Sequence, residues 1–187
     1  MKKIIALVLS LMMLLTCVAA LAETAETPEK EDMGVLKMNK AFDIKYNKPG
    51  DGYEVNIQTQ NDMTIIANIF SSDAKLPRMG LIIAFNDEWA ETERLNDVSD
   101  EDLEGIKASF LEEYDEIEFE IKETAYGTKL LIAKVAGGQD AYVYTIYKGH
   151  EIEIHLVPGA EAEALEEADI DRVVTFLSDM DFVPVEE

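Results

Sequence analysis

Cysteine is almost absent from this sequence. The single cysteine, Cys17, lies in the first apolar run, so the rest of the chain has none. Without a pair of thiols the domain forms no internal disulfide, and cysteine-based zinc sites, thiol catalysis and redox exchange are excluded after residue 17. Patterns such as G-x-S-x-G and the phosphate-binding G-K-[ST] are also missing, so no catalytic residue is predicted.

Basic residues are scarce. The chain has 16 Lys and Arg against 39 Asp and Glu, a net charge of −23. Such a field repels phosphate backbones and anionic membranes, so nucleic acid is not an expected partner. The charge favours solubility, divalent cations or a basic partner surface, and solubility is the simplest interpretation.

The first 22 residues have the pattern of a secretory signal peptide. Lys2 and Lys3 precede an apolar run, and Ala20-Leu21-Ala22 is typical of a signal-peptidase site. Removal of residues 1–22 leaves 14 basic and 39 acidic residues, a net charge of −25. The sequence therefore predicts a secreted or cell-surface protein without membrane insertion after cleavage.

Two alternatives to simple cleavage stay open. An uncleaved anchor is disfavoured because no basic residue follows the apolar run before Lys30. Lipidation at Cys17 would make the protein a lipoprotein. This is the minor alternative, because Thr16 stands where a lipobox has a smaller residue and an apolar stretch follows the cysteine.

The chain after the signal divides into two parts. Residues 23–32, ETAETPEKED, have too few apolar side chains to bury and are predicted to be a flexible acidic leader. Residues 33–187 form a single predicted domain, which is long enough to bury its own core.

Alternating apolar and polar side chains predict a series of strands. The pattern occurs near residues 42–46, 53–57, 117–121, 130–135, 142–147 and 150–156, and a short closing strand is expected at 181–185. Residues 63–70 have apolar side chains at both odd and even positions, which predicts a central strand covered on both faces. Turns are predicted at residues 49–52, at Tyr126-Gly127 and at Gly137-Gly138. Residues 58–62 are predicted to be a polar turn, and residues 81–85 are predicted to be a short strand.

Two segments have helical periodicity. Ser99 is the predicted N-cap of a helix whose apolar face is formed by Leu103, Ile106, Phe110 and Tyr114, with Phe110 expected against the sheet. A second helix is predicted around residues 170–177. Short turns join antiparallel neighbours, so the expected fold class is α+β, a mostly antiparallel sheet flanked by helices.

This layout resembles the PsbP-like family, named for an extrinsic subunit of photosystem II, with relatives among secreted bacterial proteins. The resembling segments are Phe42-x-Ile44, Pro49-Gly50-Asp51-Gly52-Tyr53, Tyr126-Gly127-Thr128-Lys129-Leu130, the hairpin of residues 142–154 and the closing helix. The resemblance implies an α/β/α sandwich and a non-enzymatic binding or assembly module. It transfers no functional residue, because no functional motif of the family is matched.

The histidines do not form a zinc-protease motif. His150 and His155 are one residue too far apart for H-E-x-x-H, and they lie on a predicted strand, where they point to opposite faces. Glu151, Glu153 and His155 share one face. They are interpreted as the solvated face of an edge or half-exposed strand rather than as metal ligands.

No metal or cofactor is predicted elsewhere. Residues 100–105 resemble the start of a calcium loop, but Leu111 stands where that loop needs a bidentate Glu. The acids suit the first turn of the helix after Ser99, where they favour the positive end of its dipole.

Aromatic residues are the candidate binding residues: Trp89, Tyr142, Tyr144 and Tyr147. Tyr and Trp often anchor interfaces, and they equally pack sheets. Tyr142 and Tyr144 share a face, with core packing favoured, whereas Tyr147 points to the opposite side.

The expected function is an exported bacterial, non-enzymatic binding or assembly module whose partner is an unidentified protein or component of the cell envelope. The alternatives are a structural envelope protein and a hydrolase with a carboxylate or histidine site. A binding module predicts exposed Tyr or Trp on the sheet. An enzyme predicts a cleft where acids or a His converge with shifted pKa values.

Overall fold

A computed structural model describes residues 34–38, 42–46, 52–124, 127–178 and 181–184. The predicted signal peptide of residues 1–22, with Cys17, and the predicted leader of residues 23–32 lie outside these described residues. So do residues 49–51 of the first predicted turn, Tyr126 of a later one and Val185 of the predicted closing strand.

The centre of the fold is a seven-stranded antiparallel sheet in the order β3-β4-β5-β9-β8-β7-β6. Its strands are β3 (Tyr53–Gln60), β4 (Thr64–Ser71), β5 (Arg78–Phe85), β6 (Ile117–Glu123), β7 (Lys129–Val135), β8 (Ala141–Tyr147) and β9 (His150–Val157). Short connections join β3 to β4, β4 to β5, β6 to β7, β7 to β8 and β8 to β9, and consecutive strands joined in this way are expected to pair antiparallel. The predicted α+β class is confirmed.

A smaller antiparallel sheet has the order β1-β2-β10, with β1 (Gly34–Met38), β2 (Phe42–Tyr46) and β10 (Asp181–Pro184). The predicted closing strand is confirmed as β10. β1 was not predicted, because its residues, GVLKM, do not alternate between apolar and polar side chains.

One side of the seven-stranded sheet carries the main core. Leu81, Ile83, Ile152 and Ile154 are among its fully buried side chains, and Val173 of helix α2 (Glu167–Ser178) joins them. Residues of β1 and β2 pack on the same core: Leu36, Ile44 and Tyr46. The second predicted helix is therefore confirmed, together with its apolar face.

The other side of the sheet is covered over β7 and β8 by helix α1 (Asp100–Leu111). Ser99 caps this helix as predicted, because its side chain accepts a hydrogen bond from the backbone N–H of Asp102. Short 3₁₀ segments, Asp87–Trp89 and Leu95–Asp97, precede the helix. A third, Ala136–Gly138, forms the turn after β7, at the predicted Gly137-Gly138 turn.

The two predictions for residues 58–70 are partly wrong. β3 continues through Gln60 because it is an edge strand, whose polar side chains stay in water while its backbone pairs with β4. The turn begins only at Asn61, whose side chain accepts hydrogen bonds from two following backbone amides. β4 is buried on one face alone: Ile65 and Ile69 are fully buried, whereas Phe70 is 39 % exposed.

Phe110 lies against the sheet as the helix pattern predicts. Its ring is 5.4 Å from that of Tyr142 and 6.3 Å from that of Phe119. Because Phe110 is partly rather than fully buried, Phe110→Ala is expected to lower the free energy of unfolding by about 2 kcal/mol, measured by urea denaturation. Leu111→Ala, at the exposed neighbouring position, should change it by under about 0.5 kcal/mol. Equal effects would contradict this packing.

Candidate functional site

β9 lies in the interior of the sheet, between β5 and β8. Glu151, Glu153 and His155 share one face of it, as their spacing predicts. Their interpretation as the solvated face of an edge or half-exposed strand is wrong, because β9 has a paired strand on each side and all three residues are partly buried.

Glu151 fixes the segment that follows β5. Its Oε1 accepts hydrogen bonds from Asn86 Nδ2 at 3.1 Å, Trp89 Nε1 at 3.0 Å and the Tyr144 hydroxyl at 2.9 Å. The Asn86 side chain also accepts from the backbone N–H of Glu88 and so caps the 3₁₀ segment. Hydrogen bonds to a carboxylate are stronger than neutral ones, so this oxygen holds Trp89 over the sheet.

Glu153 is the residue in this cluster whose carboxylate is not satisfied. Its Oε1 is buried, and no donor among the described residues reaches it. Burial raises the pKa of Glu153 to about 7, and the negative charges of Glu151 and Glu113 act in the same direction. A buried acceptor without a donor is unusual in a folded protein and calls for a functional explanation.

His155 belongs to a stacked group beside Glu153. Its ring lies parallel to that of Tyr142, with centroids 4.5 Å apart. His155 Nε2 is 2.7 Å from Asp140 Oδ1, and the Tyr142 hydroxyl shares a hydrogen bond with the Tyr114 hydroxyl. Burial raises the pKa of both tyrosines, so their hydroxyls are neutral at physiological pH. These contacts connect β9 to β8, to the turn before β8 and to the segment after α1.

The strand pairing places residues of β4 and β5 on the same side of the sheet as these groups. Asn68 of β4 pairs with Gly80 of β5, and Gly80 pairs with His155 of β9, so the three lie on the same side of the sheet. Glu153 itself pairs with the buried Ile82 of β5. We call this surface the Glu153 face, formed by Asn68, Phe70, Gly80, Glu153 and His155. None of the five residues of the Glu153 face belongs to the apolar cluster under α1.

The predicted binding residues have different positions. Trp89 is partly exposed, whereas Tyr142 and Tyr144 are 1 % and 5 % exposed, so most of the tyrosine surface is used for packing. Trp89 and Tyr144 meet at Glu151, and Tyr142 stacks on His155. Tyr147 packs on the main core, on the opposite side of the sheet. A role of these aromatics in binding stays a prediction.

Several members of the site were not predicted. Asn86 and Asp140 carried no signal, and Tyr114 was assigned to the helix, which ends at Leu111. The three become neighbours of the site only through the strand order and the path of the loops. The common face of Glu151, Glu153 and His155 was visible in the sequence, but its burial was not.

A pocket of about 630 Å³ lies at the end of the sheet, and Asp140, the partner of His155, is one of the residues that line it. It is formed by the start of β6, the turn after β7 and the residues around the start of α2. Its lining is both acidic and apolar, with Glu116, Glu166 and Leu165 among the residues that contribute.

No family model matches the chain, and a search of curated proteins finds no significantly similar sequence. In the part of the chain that the structure describes, no group of three or more His, Asp or Glu side chains is arranged to hold a metal ion. None of the described helices combines the length and the apolar character needed to cross a membrane.

Proposed function

We propose that this protein is an exported bacterial binding module, without catalytic activity, that contacts its ligand through the Glu153 face. The observation that carries the proposal is the buried Glu153 carboxylate, whose Oε1 has no donor among the described residues. A bound ligand would supply that hydrogen bond. The resemblance to PsbP-like proteins supports a binding role on the cell surface or outside the cell, with a protein or envelope component as partner.

The groups around Glu153 support binding rather than catalysis because they are already committed to one another. Glu151 Oε1 accepts three hydrogen bonds, and Tyr142 and His155 each have a partner. These contacts hold the surface in one shape before a ligand arrives. Such preorganisation lowers the entropic cost of binding.

Phe70 supplies apolar contact area at the edge of the same surface. Its side chain is on the same side of the sheet as Gly80 and is 39 % exposed. Ile57 of β3 has the same exposed fraction, but its pairing with the buried Ala67 places it on the other side. The two residues therefore provide a matched pair for a test.

Fragment screening by protein-observed NMR tests the proposal. Shift changes should concentrate on the backbone amides of Asn68, Gly80 and Glu153 and on the Trp89 indole. Phe70→Ala should weaken the fragments that bind there, and Ile57→Ala should not. If the shift changes concentrate at the 630 Å³ pocket instead, or if both variants behave alike, the Glu153 face is not the binding surface.

A hydrolase is the second candidate, and one observation favours it. Glu151 and Glu153 are neighbouring carboxyl groups in different environments, and the pKa of Glu153 is about 7, which suits a general acid. This candidate predicts turnover of a glycoside or ester substrate that Glu153→Gln abolishes without loss of fold. The binding proposal predicts that neither the natural protein nor the variant turns over such a substrate.

A further inference from the structure

The charges that act on the Glu153 carboxylate all have the same sign. Its pKa is raised first by burial and then by the carboxylates of Glu151 and Glu113. Arg78 shares this side of β5 but pairs with Val157 at the far end of the strand, and it is not among the charges that act on Glu153. The ionised carboxylate therefore needs a positive charge from outside the described residues, or it must take up a proton.

A metal ion does not fit this position. Hard cations such as calcium take six or more oxygen ligands, whereas Glu151 Oε1 already accepts three hydrogen bonds. The described residues also contain no set of three ligating side chains.

We propose that the Glu153 face binds an organic cation that carries N–H donors, an ammonium or guanidinium group, with one N–H donating to Oε1 of Glu153. This inference rests on the proposed function and names its ligand class. Gly80 pairs with His155, two residues along β9 from Glu153, and carries no side chain that would block an approaching ligand. The exposed ring of Phe70 is on the same side of the sheet but lies toward Arg78, so it is placed to contact an apolar part of a larger ligand rather than the cation at Glu153.

The overall charge is consistent with such a ligand. With 39 acidic against 16 basic residues, the protein attracts cations over long distances and so speeds their encounter with the surface. Attraction of this kind is general and salt-dependent, whereas the hydrogen bond to Glu153 would be local. The test must therefore distinguish the effect of the ligand's charge from the effect of its N–H donors. It must also distinguish binding at Glu153 from general attraction to the acidic protein.

Four probes make this separation by isothermal titration in a constant background of sodium chloride. The three amino-acid amides are used with an acetylated α-amino group, so that arginine amide and lysine amide carry a side-chain cation with N–H donors as their only charge. Citrulline amide has nearly the shape of arginine amide but a neutral side chain, and tetramethylammonium has the charge without an N–H. Arginine amide or lysine amide should bind at least about tenfold more tightly than the other two probes. A lysine- or arginine-containing peptide that binds more tightly than the free amide would identify a peptide as the natural source.

Two variants locate the effect. Glu153→Gln should weaken binding of the cationic amide at least about tenfold. Glu54→Gln is the matched control, because Glu54 is an exposed acid that pairs with Phe70 on the same side of the sheet, and its loss should change affinity less than about twofold. Circular dichroism and thermal melting check that both variants are folded.

A measurement on the natural protein covers the case in which Glu153→Gln does not fold. Since Glu153 is partly protonated near neutral pH, a cation that binds its ionised form should displace protons. The binding enthalpy should then depend on the ionisation enthalpy of the buffer. A binding enthalpy that is the same in every buffer at pH 7 would overturn the assignment to Glu153.

The outcomes distinguish this inference from the proposed function. Equal affinities for arginine amide and citrulline amide, or equal loss in both variants, would refute the cationic ligand. If neutral fragments still bind to the Glu153 face, the binding function stands with a different ligand class. If neither the cations nor the fragments perturb that face, both proposals are wrong.

Discussion

Gly159→Ala is expected to lower the free energy of unfolding by about 3 kcal/mol or more. A Cβ atom on Gly159 would overlap the backbone carbonyl oxygens of Ala74 and Leu76 and come within 2.7 Å of the carbonyl carbon of Lys75. These are backbone atoms, so no side-chain rotation removes the overlap.

The loop that Gly159 touches has little freedom to move away. The Ala74 carbonyl accepts a hydrogen bond from the N–H of Glu161, and the Pro77 carbonyl accepts one from the buried Tyr53 hydroxyl. Moving the loop would break such contacts, which adds to the cost of the overlap.

Gly105→Ala is the matched control for Gly159→Ala. Gly105 lies inside α1, and a Cβ there meets nothing within 4 Å. Alanine should raise the free energy of unfolding by about 0.5–1 kcal/mol, because glycine is a poor helix former. Urea denaturation measures both variants. Similar small effects at the two positions would mean that the turn after β9 does not pack closely on the loop after β4.

Glu153→Gln is expected to remove a pH dependence worth about 3 kcal/mol. The pKa of Glu153 is about 7 in the folded protein, against an ordinary value of 4.5. The folded state therefore keeps a proton that the unfolded chain releases. The stabilisation from this proton is complete below pH 4.5 and is lost as the pH rises to about 7. Glutamine stays neutral at every pH, so residue 153 causes no such loss of stability in the variant.

The free energy of unfolding of the variant, minus that of the natural protein, should thus increase between pH 4.5 and pH 7.5. Chemical denaturation at a series of pH values measures this difference. Glu54→Gln controls for the removal of a charge from the same side of the sheet and should show no such increase. A constant difference for Glu153→Gln would mean that the Glu153 carboxyl group is not desolvated.

Other groups affect the pH profile, which is why the difference between proteins is needed. The pKa of Glu113 is also raised, mainly by burial, so it acts in the same direction. Hydrogen bonds from Lys122 and Lys134 lower the pKa of Glu167 to about 2, so its contribution is lost only as the pH falls below 4.5. The contribution of Glu167 is common to natural protein and variant and cancels in the difference, whereas Glu113, whose charge acts on Glu153, contributes to the same increase.

The local structure was largely predictable because it depends on near neighbours in the chain. Alternating apolar and polar residues correctly predicted the strands that contain Ile117, Tyr142 and Ile152. Ser99 and Phe110 correctly predicted the start of α1 and the face that packs on the sheet. The polar end of β3 was missed because polar residues in an edge strand resemble a turn. The 3₁₀ segment that holds Trp89 was missed because three residues are too few to show a period.

The candidate site was less predictable because it depends on the order of the strands. Nothing in the residues of β9 specifies that β5 is one of its neighbours, yet that pairing buries Glu153 and places Gly80 beside His155. A strand with the same alternation at an edge would leave its acids in water. The raised pKa of Glu153 is thus a property of long-range pairing.

The strand order also has a consequence for folding speed. β3 to β5 and β6 to β9 are two runs of sequential hairpins, in which contacts form between residues close in the chain. The two runs meet only where β5 pairs with β9, as at Ile83 and Ile152, which are 69 residues apart. The pairing of Ile44 with Phe182 spans 138 residues. Because such distant contacts close long loops, the pairing of β5 with β9, which brings the residues of the Glu153 face together, is expected to form late, after each run of hairpins.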